Sequence, residues 1–234
     1  MNPKQLSRIV IRGFKSIREC DLELGDLNVI IGANGAGKSN LISFFRLVQQ
    51  MLDQKLQVFS AWMGGPDAIL HFGRKATPEM SFELCFGENR YSVILRPTQD
   101  NRLNFANEKL EIHDRWQDAS GHFESHFNTL TRVGSGIFSG FTAMKNWRVY
   151  HFHDTGETSL IKQLHGLNIN DYLRPNGSNL AAFLFFLREK YHEYYQRVVK
   201  TIRLVAPFFE DFALRPNPTN ENMIELEWRH KGED

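Results

Sequence analysis

The sequence predicts an α/β protein with an antiparallel β region and a helical lobe, on three observations. The glycine-rich octapeptide Gly32-Ala-Asn-Gly-Ala-Gly-Lys-Ser39 lies between the apolar run Leu27 to Ile31 and an amphipathic stretch that opens at about Lys38. Short alternating segments crowd the interval from Met80 to about Asp114, and an apolar stripe at steps of three and four runs from Leu180 to Val205.

Taken in order, Arg8 to Arg12 and Ile17 to Leu24 read as strands joined by Gly13-Phe-Lys-Ser16. Gly25-Asp26 turns the chain into Leu27 to Ile31, whose unbroken apolar character reads as a buried strand. A helix from about Lys38 to about Asp53 carries Leu41, Phe44, Phe45 and Val48 at helical spacing, and Lys55 to Met63 is a second, shorter helix stopped by Gly64-Gly-Pro66. Met80 to Phe86, Tyr91 to Leu95, Arg102 to Phe105 and Leu110 to His113 are strands of an antiparallel meander, divided by Gly87-Glu-Asn89, Pro97 to Asn101 and Ala106-Asn107.

Trp116 to Gly140, rich in Gly, Ser, His and Asn, reads as a surface loop, followed by a short helix around Phe141 to Asn146. Trp147 to Phe152 returns to strand character and ends in His153-Asp-Thr-Gly156, a polar cluster at a strand end, where α/β proteins place site residues. Ser159 to Leu164 gives one or two helical turns, and Pro175-Asn-Gly-Ser-Asn179 is a stop and cap before one long helix, Leu180 to Val205. Its apolar face, formed by Leu180, Leu184, Leu187, Tyr191, Tyr194, Val198, Ile202 and Val205, either packs on the domain core or meets a partner helix or lobe. Ala213 to Arg215 and Met223 to Trp228 are two final strands, and Lys231-Gly-Glu-Asp234 resembles a turn more than a natural terminus.

Composition narrows the setting without choosing a function. With 28 basic and 27 acidic residues among 234, the net charge of +1 exerts no overall pull toward nucleic acid or membrane, so any DNA contact needs a local patch. Cys20 and Cys85 have no partner spacing for zinc or a disulfide framework and read as reduced core thiols of a cytoplasmic protein. Met1 to Ser7 holds no apolar signal region, and the longest apolar run, Leu180 to Leu187, is too short to span a bilayer.

The octapeptide carries the chemistry. It fits G-x-x-x-x-G-K-[ST] at every fixed position, in the strand-loop-helix setting that gives the pattern meaning. Its glycines let the backbone turn tightly and aim successive N–H groups inward, making an anion site capped by the positive end of the helix. Asn34, Gly35, Ala36 and Gly37 would line that cradle, Lys38 would reach the β- and γ-phosphates, and the Ser39 hydroxyl would sit on Mg²⁺. ATP with Mg²⁺ is the expected ligand.

With the first strands placed, Leu6 to Leu47 can be compared as a unit. The Ile11-Arg-Gly-Phe-Lys-Ser16 stretch, its interval to the loop and the G-x-N-G-x-G-K-S-N form from Gly32 to Asn40 together resemble the N-terminal half of an ABC-type ATPase head. Such heads occur in SMC proteins, in RecF and in the RecF-like AAA-type ATPases that include the OLD nucleases. The resemblance covers about the first fifth of the chain closely. It implies a P-loop NTPase of two lobes, one holding an antiparallel β region, the phosphate loop and a mostly parallel sheet, the other helical. The whole chain, residues 1–234, is then one portion of such a head. Residues 1–55 give the N-terminal strands, loop and first helix, and 56–146 a β-meander insertion and loop. Residues 147–206 give a strand and the helical lobe, and 207–234 the terminal strands.

The resemblance also implies site residues. Lys15 and Ser16 match residues that lie by the nucleotide in SMC-type heads, with a solvated turn as the alternative, and Asn40 extends the loop motif. The strand Trp147 to Phe152 corresponds to the one entering a Q-loop but ends in His153-Asp154 without a glutamine. Asp154 either joins the water shell of Mg²⁺ or caps a helix or loop, while His151 and His153, two apart on one strand face without a third ligand at recognised spacing, read as packed or surface histidines before a metal pair.

Family members complete the site with an L-S-x-G signature and a Walker B strand ending Asp-Glu, and neither occurs after Ser39. Phe208-Phe-Glu-Asp211 and Val149 to Asp154 both lack the unbroken apolar run. A missing base costs about 10²- to 10⁴-fold in rate, so the chain is expected to be an incomplete head that binds nucleotide better than it turns it over. In intact heads two copies sandwich two nucleotides, which implies a homodimer or partner head, with DNA maintenance, repair or phage defence as the setting. A non-hydrolysing regulatory subunit that completes its site with a partner is the second reading. A P-loop kinase is disfavoured by the Ile11 to Ser16 start.

Overall fold

The computed structural model describes residues 5–113, 115–131, 139–150, 152, 156 and 158–232. The chain divides into two compact units, residues 1–147 and 148–234.

In the first unit, β1 (Arg8–Phe14) and β2 (Ile17–Glu23) form a hairpin, followed by α1 (Lys38–Leu52), α2 (Leu56–Trp62) and the single turn α3 (Pro66–Ile69). Four strands follow: β3 (Met80–Phe86), β4 (Asn89–Pro97), β5 (Leu103–Ile112) and β6 (Arg115–Ala119), then α4 (Phe127–Leu130) and α5 (Ser139–Lys145). The strands make one six-stranded sheet in the order β2-β1-β3-β4-β5-β6, with every neighbour antiparallel. β1 therefore leaves its hairpin partner on one side and pairs on the other with a strand some 70 residues on, Ile11 opposite both Cys20 and Phe82.

The meander forms as expected, with one strand fewer. The strands expected at Arg102 to Phe105 and at Leu110 to His113 merge into the single strand β5, because the register slips between Ile94 and Leu95 and Ala106 is absorbed as a bulge that leaves the ladder unbroken. β6 lies inside the region read as surface loop; it is an edge strand whose alternation is weak and whose place is set by pairing with β5.

The sheet's core is built on alternation. Met80, Phe82, Leu84 and Phe86 of β3 and Tyr91, Val93 and Leu95 of β4 are buried, as are Ile9, Ile11 and Phe14 of β1. α1 lays Leu41, Phe44, Leu47, Val48 and Met51 into the same cluster. Phe44 meets Phe14 edge-on at 5.8 Å and Phe82 at 5.1 Å between ring centroids, an arrangement that matches ring edges to ring faces. Below them, Glu108 is fully buried and accepts hydrogen bonds from the Tyr91 hydroxyl (2.6 Å), the Ser125 hydroxyl (2.5 Å) and the His126 amide (2.7 Å), which satisfies its carboxylate inside an apolar setting. Glu124 caps α2 by accepting from the Leu56 and Gln57 amides.

The second unit contains the 3₁₀ turn Leu160–Lys162, β7 (His165–Gly166), α6 (Leu180–Lys190) and α7 (His192–Val205). It ends with β8 (Phe209–Phe212), β9 (Pro216–Asn217), β10 (Asn220–Ile224) and β11 (Trp228–His230). β7, β10 and β9 form one small antiparallel sheet and β8 with β11 another. The expected single helix is broken at Tyr191, which stands at φ −136° and ψ 56° and serves as C-cap of α6 and N-cap of α7. The break rotates the apolar face, so Tyr195 and Val199 are buried while Tyr191, Tyr194 and Val205 of the predicted stripe are exposed. Asn179, at the predicted cap signal, ties the entry to α6 by accepting from the Arg174 amide and donating to the Ile169 and Tyr172 carbonyls.

Two further expectations are corrected. Leu27 to Ile31 is not a buried strand: Leu27, Val29 and Ile31 are 85%, 78% and 87% exposed, and the run carries no strand pairing among the described residues. Trp147 to Tyr150 and Phe152 likewise form no strand, and His151 lies outside the described residues. An apolar run becomes a strand only when another backbone pairs with it, and here none of the described strands does. A parallel sheet is accordingly absent among the described residues.

Phe44→Ala should cost about 3–5 kcal/mol in urea unfolding of the first unit, because the cavity opens among side chains that already interlock. The buried Tyr91 hydroxyl is held well above the usual phenol range by desolvation and then by the Glu108 charge, and desolvation with Asp211 raises Tyr195 likewise. A raised folded pKa gives stability that is complete below the unfolded value near pH ~10 and is lost as pH rises toward the folded value. Unfolding midpoints should fall above that pH, less steeply in Tyr91→Phe; equal slopes would contradict the assignment.

Candidate functional site

The site is assembled by a turn and a helix that approach each other from either side of the loop. The β1–β2 turn needs Gly13, which stands at φ +72° and whose added Cβ would lie 2.8 Å from the Glu79 carbonyl oxygen. Lys15 follows at φ +48°. Its strained backbone is held on both sides: its amide donates to the Ile69 carbonyl (2.8 Å) and its carbonyl accepts from His71 Nδ1 (2.6 Å), whose backbone oxygen in turn accepts from the Thr77 hydroxyl.

Two side-chain bonds join this turn to α1. Asn40 Nδ2 donates to Ser16 Oγ at 2.7 Å, and Lys15 Nζ donates to Ser43 Oγ at 2.7 Å. Phe14, immediately before Lys15, is buried against Phe44. Burial, and then the neighbouring Arg46 charge, pull the Lys15 ammonium below its usual range. Ser16 is thus brought to the mouth of the loop. Lys15 instead points one helical turn further along α1, to Ser43, a residue that sequence reasoning did not single out.

The loop itself is open and internally braced. Gly35 and Gly37 stand at φ +85° and +92°, conformations that L side chains rarely adopt, and nothing lies within 4 Å of a Cβ added at Gly35. Lys38 Nζ donates to the Gly32 carbonyl (2.5 Å) and the Ala33 carbonyl (2.8 Å). An ammonium has three donors, so these two bonds fix the side chain across the loop and leave one N–H for a ligand. At the head of α1, Gly37 is the N-cap without a side-chain cap bond, and no acidic residue occupies the first turn. The positive end of the helix is therefore uncompensated by any side chain of its own first turn, the Ala36 amide bonds the Ala33 carbonyl within the loop, and the Ser39 hydroxyl is exposed. Beside the loop runs a groove of about 450 Å³ lined among others by Ser16, Arg18, Ile30, Gly37, Lys38 and Leu41.

This arrangement can hold a phosphate chain: amides and an ammonium for the oxygens, a hydroxyl for a divalent cation, and an apolar-walled groove alongside. It brings together Asn34, Gly35, Ala36, Gly37, Lys38, Ser39, Asn40 and Ser16. Asp154 and His153 lie outside the described residues, as does His151, and no group of three or more metal-ligating side chains occurs among the described ones. Sequence reasoning missed the supporting contacts of Ser43, His71 and Thr77; the only hint was the improbable Lys15 in a turn that needs a braced backbone. Among the described residues, no helix is long and apolar enough to cross a membrane.

Gly37→Ala should destabilise the first unit by about 1–3 kcal/mol, since it forces an L residue to φ +92° and puts a Cβ 3.1 Å from Ser16 Oγ. Chemical denaturation measures it, and a neutral substitution would show that the loop can relax around a side chain.

Comparison with known proteins agrees with this geometry. No curated protein matches the chain. The profile of the AAA ATPase domain matches residues 5–124, just over half of the chain, and spans the β1–β2 hairpin, the loop, α1 and the antiparallel sheet through β6. With its phosphate loop, braced lysine and open helix N-terminus inside that match, the chain belongs to the AAA ATPase domain family, whose function is nucleotide binding by an ATPase.

Proposed function

We propose that the chain is the ATP-binding head of a RecF/SMC-like ATPase. The observation that carries this reading is the loop Gly32 to Ser39, with Lys38 pinned to the Gly32 and Ala33 carbonyls at the open N-terminus of α1. The loop from Asn34 to Gly37 cradles the phosphate oxygens, Lys38 supplies its third N–H to the β- and γ-phosphates, and Ser39 holds Mg²⁺. Ser16 and Asn40 hold the loop's flank, and Lys15 acts from behind, through Ser43, to keep the turn in place. The groove beside the loop seats the nucleoside, with Arg18 at its wall.

Within this reading, ATP joins two heads, and the dimer is coupled to DNA maintenance, repair or phage defence in the cytoplasm. The nucleotide changes the equilibrium because the two states differ in their contacts to it. No signature or Walker B motif follows Ser39, so the chain by itself binds ATP without turning it over. A non-hydrolysing subunit that completes its site with a partner is the second reading, and the unpaired Leu27 to Ile31 run favours it.

Calorimetry with MgATP should show binding that weakens by about tenfold or more in Lys38→Ala, equivalent to ~1.4 kcal/mol or more. Phosphate release should stay at background. Undiminished binding in Lys38→Ala would remove the proposed site, and steady-state hydrolysis abolished by that substitution would remove the claim that these residues bind ATP without turning it over. Gel shifts with and without ATP at two salt concentrations test the DNA role, since phosphate contacts weaken as salt rises.

A further inference from the structure

The second unit carries a cleft of about 800 Å³ beside the paired strands β8 and β11. Its walls hold three guanidinium groups, Arg188, Arg215 and Arg229, and three rings, Phe212, Trp228 and His230. Adjacent residues of a regular strand point to opposite faces, yet Trp228, Arg229 and His230 all border this one space. The β8–β11 register slips between Arg229 and His230, and a slip of this kind re-aims a side chain that strict alternation would send elsewhere. Trp228 Nε1 donates to His230 Nε2 at 3.3 Å, and the His230 ring stacks on Phe208 at 5.2 Å between centroids, so the indole is held by its edge. It is 49% exposed, and no ring or cation stacks on its face among the described residues. The guanidinium groups are unequally engaged. Arg188 donates to the Leu214 carbonyl (2.7 Å) and meets Glu189 at 3.3 Å, while Arg215 meets Glu227, the one carboxylate that lines the cleft, at 3.3 Å. The Arg229 side chain makes no hydrogen bond or ion pair among the described residues.

We propose that this cleft is a second ligand site, and that it takes a mononucleotide: a flat base joined to a phosphate. An unstacked indole whose orientation is already fixed offers its face to a planar ring with little further ordering. A guanidinium with no partner of its own, next to it in sequence, matches phosphate oxygens with two parallel N–H donors. Arg188, held in place by the Leu214 carbonyl, adds positive charge from α6. An acidic peptide would satisfy the arginines and leave the indole unused. The volume suits one small molecule, whereas a single strand of nucleic acid needs a charged groove that follows its backbone over several nucleotides. The cleft lies outside residues 5–124 and contains no residue of the phosphate loop, so the inference does not depend on the reading of that loop.

Calorimetry with adenosine monophosphate on the Lys38→Ala chain tests it, since that substitution disables the phosphate loop. The expected result is binding of the monophosphate, with adenosine and inorganic phosphate each weaker by about tenfold or more. Arg229→Gln and Trp228→Ala should each weaken the monophosphate by about tenfold or more, while Trp228→Phe, which keeps a stacking face, stays within about threefold. Arg229→Gln removes no contact within the chain, so its thermal melting should match that of the parent and its loss of binding cannot come from unfolding. No binding of the monophosphate to Lys38→Ala overturns the proposal, as does inorganic phosphate binding equally well or undiminished affinity in Arg229→Gln. Affinity for oligothymidylate that rises with its length also overturns it, because that behaviour belongs to an extended groove. MgATP titrated into Arg229→Gln reads the phosphate loop alone, which separates failure of this inference from failure of the loop's assignment.

Discussion

The burial of Phe44 between Phe14 and Phe82 holds the functional end of the protein together. One aromatic cluster fixes three things at once: α1 against the sheet, the β1–β2 turn against α1, and therefore Ser16 against the mouth of the loop. The hydrogen bonds Asn40 to Ser16 and Lys15 to Ser43 are each modest in net energy, about 1 kcal/mol, and serve mainly to set angle and register once apolar packing has brought the elements together. Function at the loop thus rests on a core that contains no ligand-binding residue.

The charge arrangement has a similar division. Lys38 spends two donors on its own loop, which keeps a long flexible side chain from collapsing away from the cradle and reduces the conformational entropy it must lose when a phosphate arrives. The first turn of α1 carries no carboxylate, so nothing competes for the helix's positive end. Three carboxylates elsewhere in the first unit are occupied: Glu108 by three donors in the core, Glu124 by the amides of α2, and Asp67 by Arg74.

Periodic and local signals were legible. The alternation of β3 and β4, the helical spacing of α1 and α2, and the glycines of the loop all express constraints that act within a few residues, and these elements stand where the sequence puts them. What failed depended on partners distant in the chain. β6 is a strand because β5 lies beside it, Ala106 is a bulge because β4 sets the ladder, and Leu27 to Ile31 is unpaired because pairing is a property of two backbones and cannot be read from one. The break at Tyr191 belongs to the same class, since continuous helical spacing does not say which face the core will choose.

By itself, then, the sequence determined the phosphate loop: residue types at fixed spacing specify a backbone with positive φ, inward amides and a lysine in reach, whatever surrounds it. Only the tertiary structure decided how that loop is supported. It directed Lys15 to Ser43 and Ser16 to Asn40, braced the strained turn with His71, and left the run before the loop exposed along both backbone edges. The physical reason is that hydrogen bonds between side chains 20 or more residues apart form only after apolar burial has placed their backbones, and burial is a collective property of the fold.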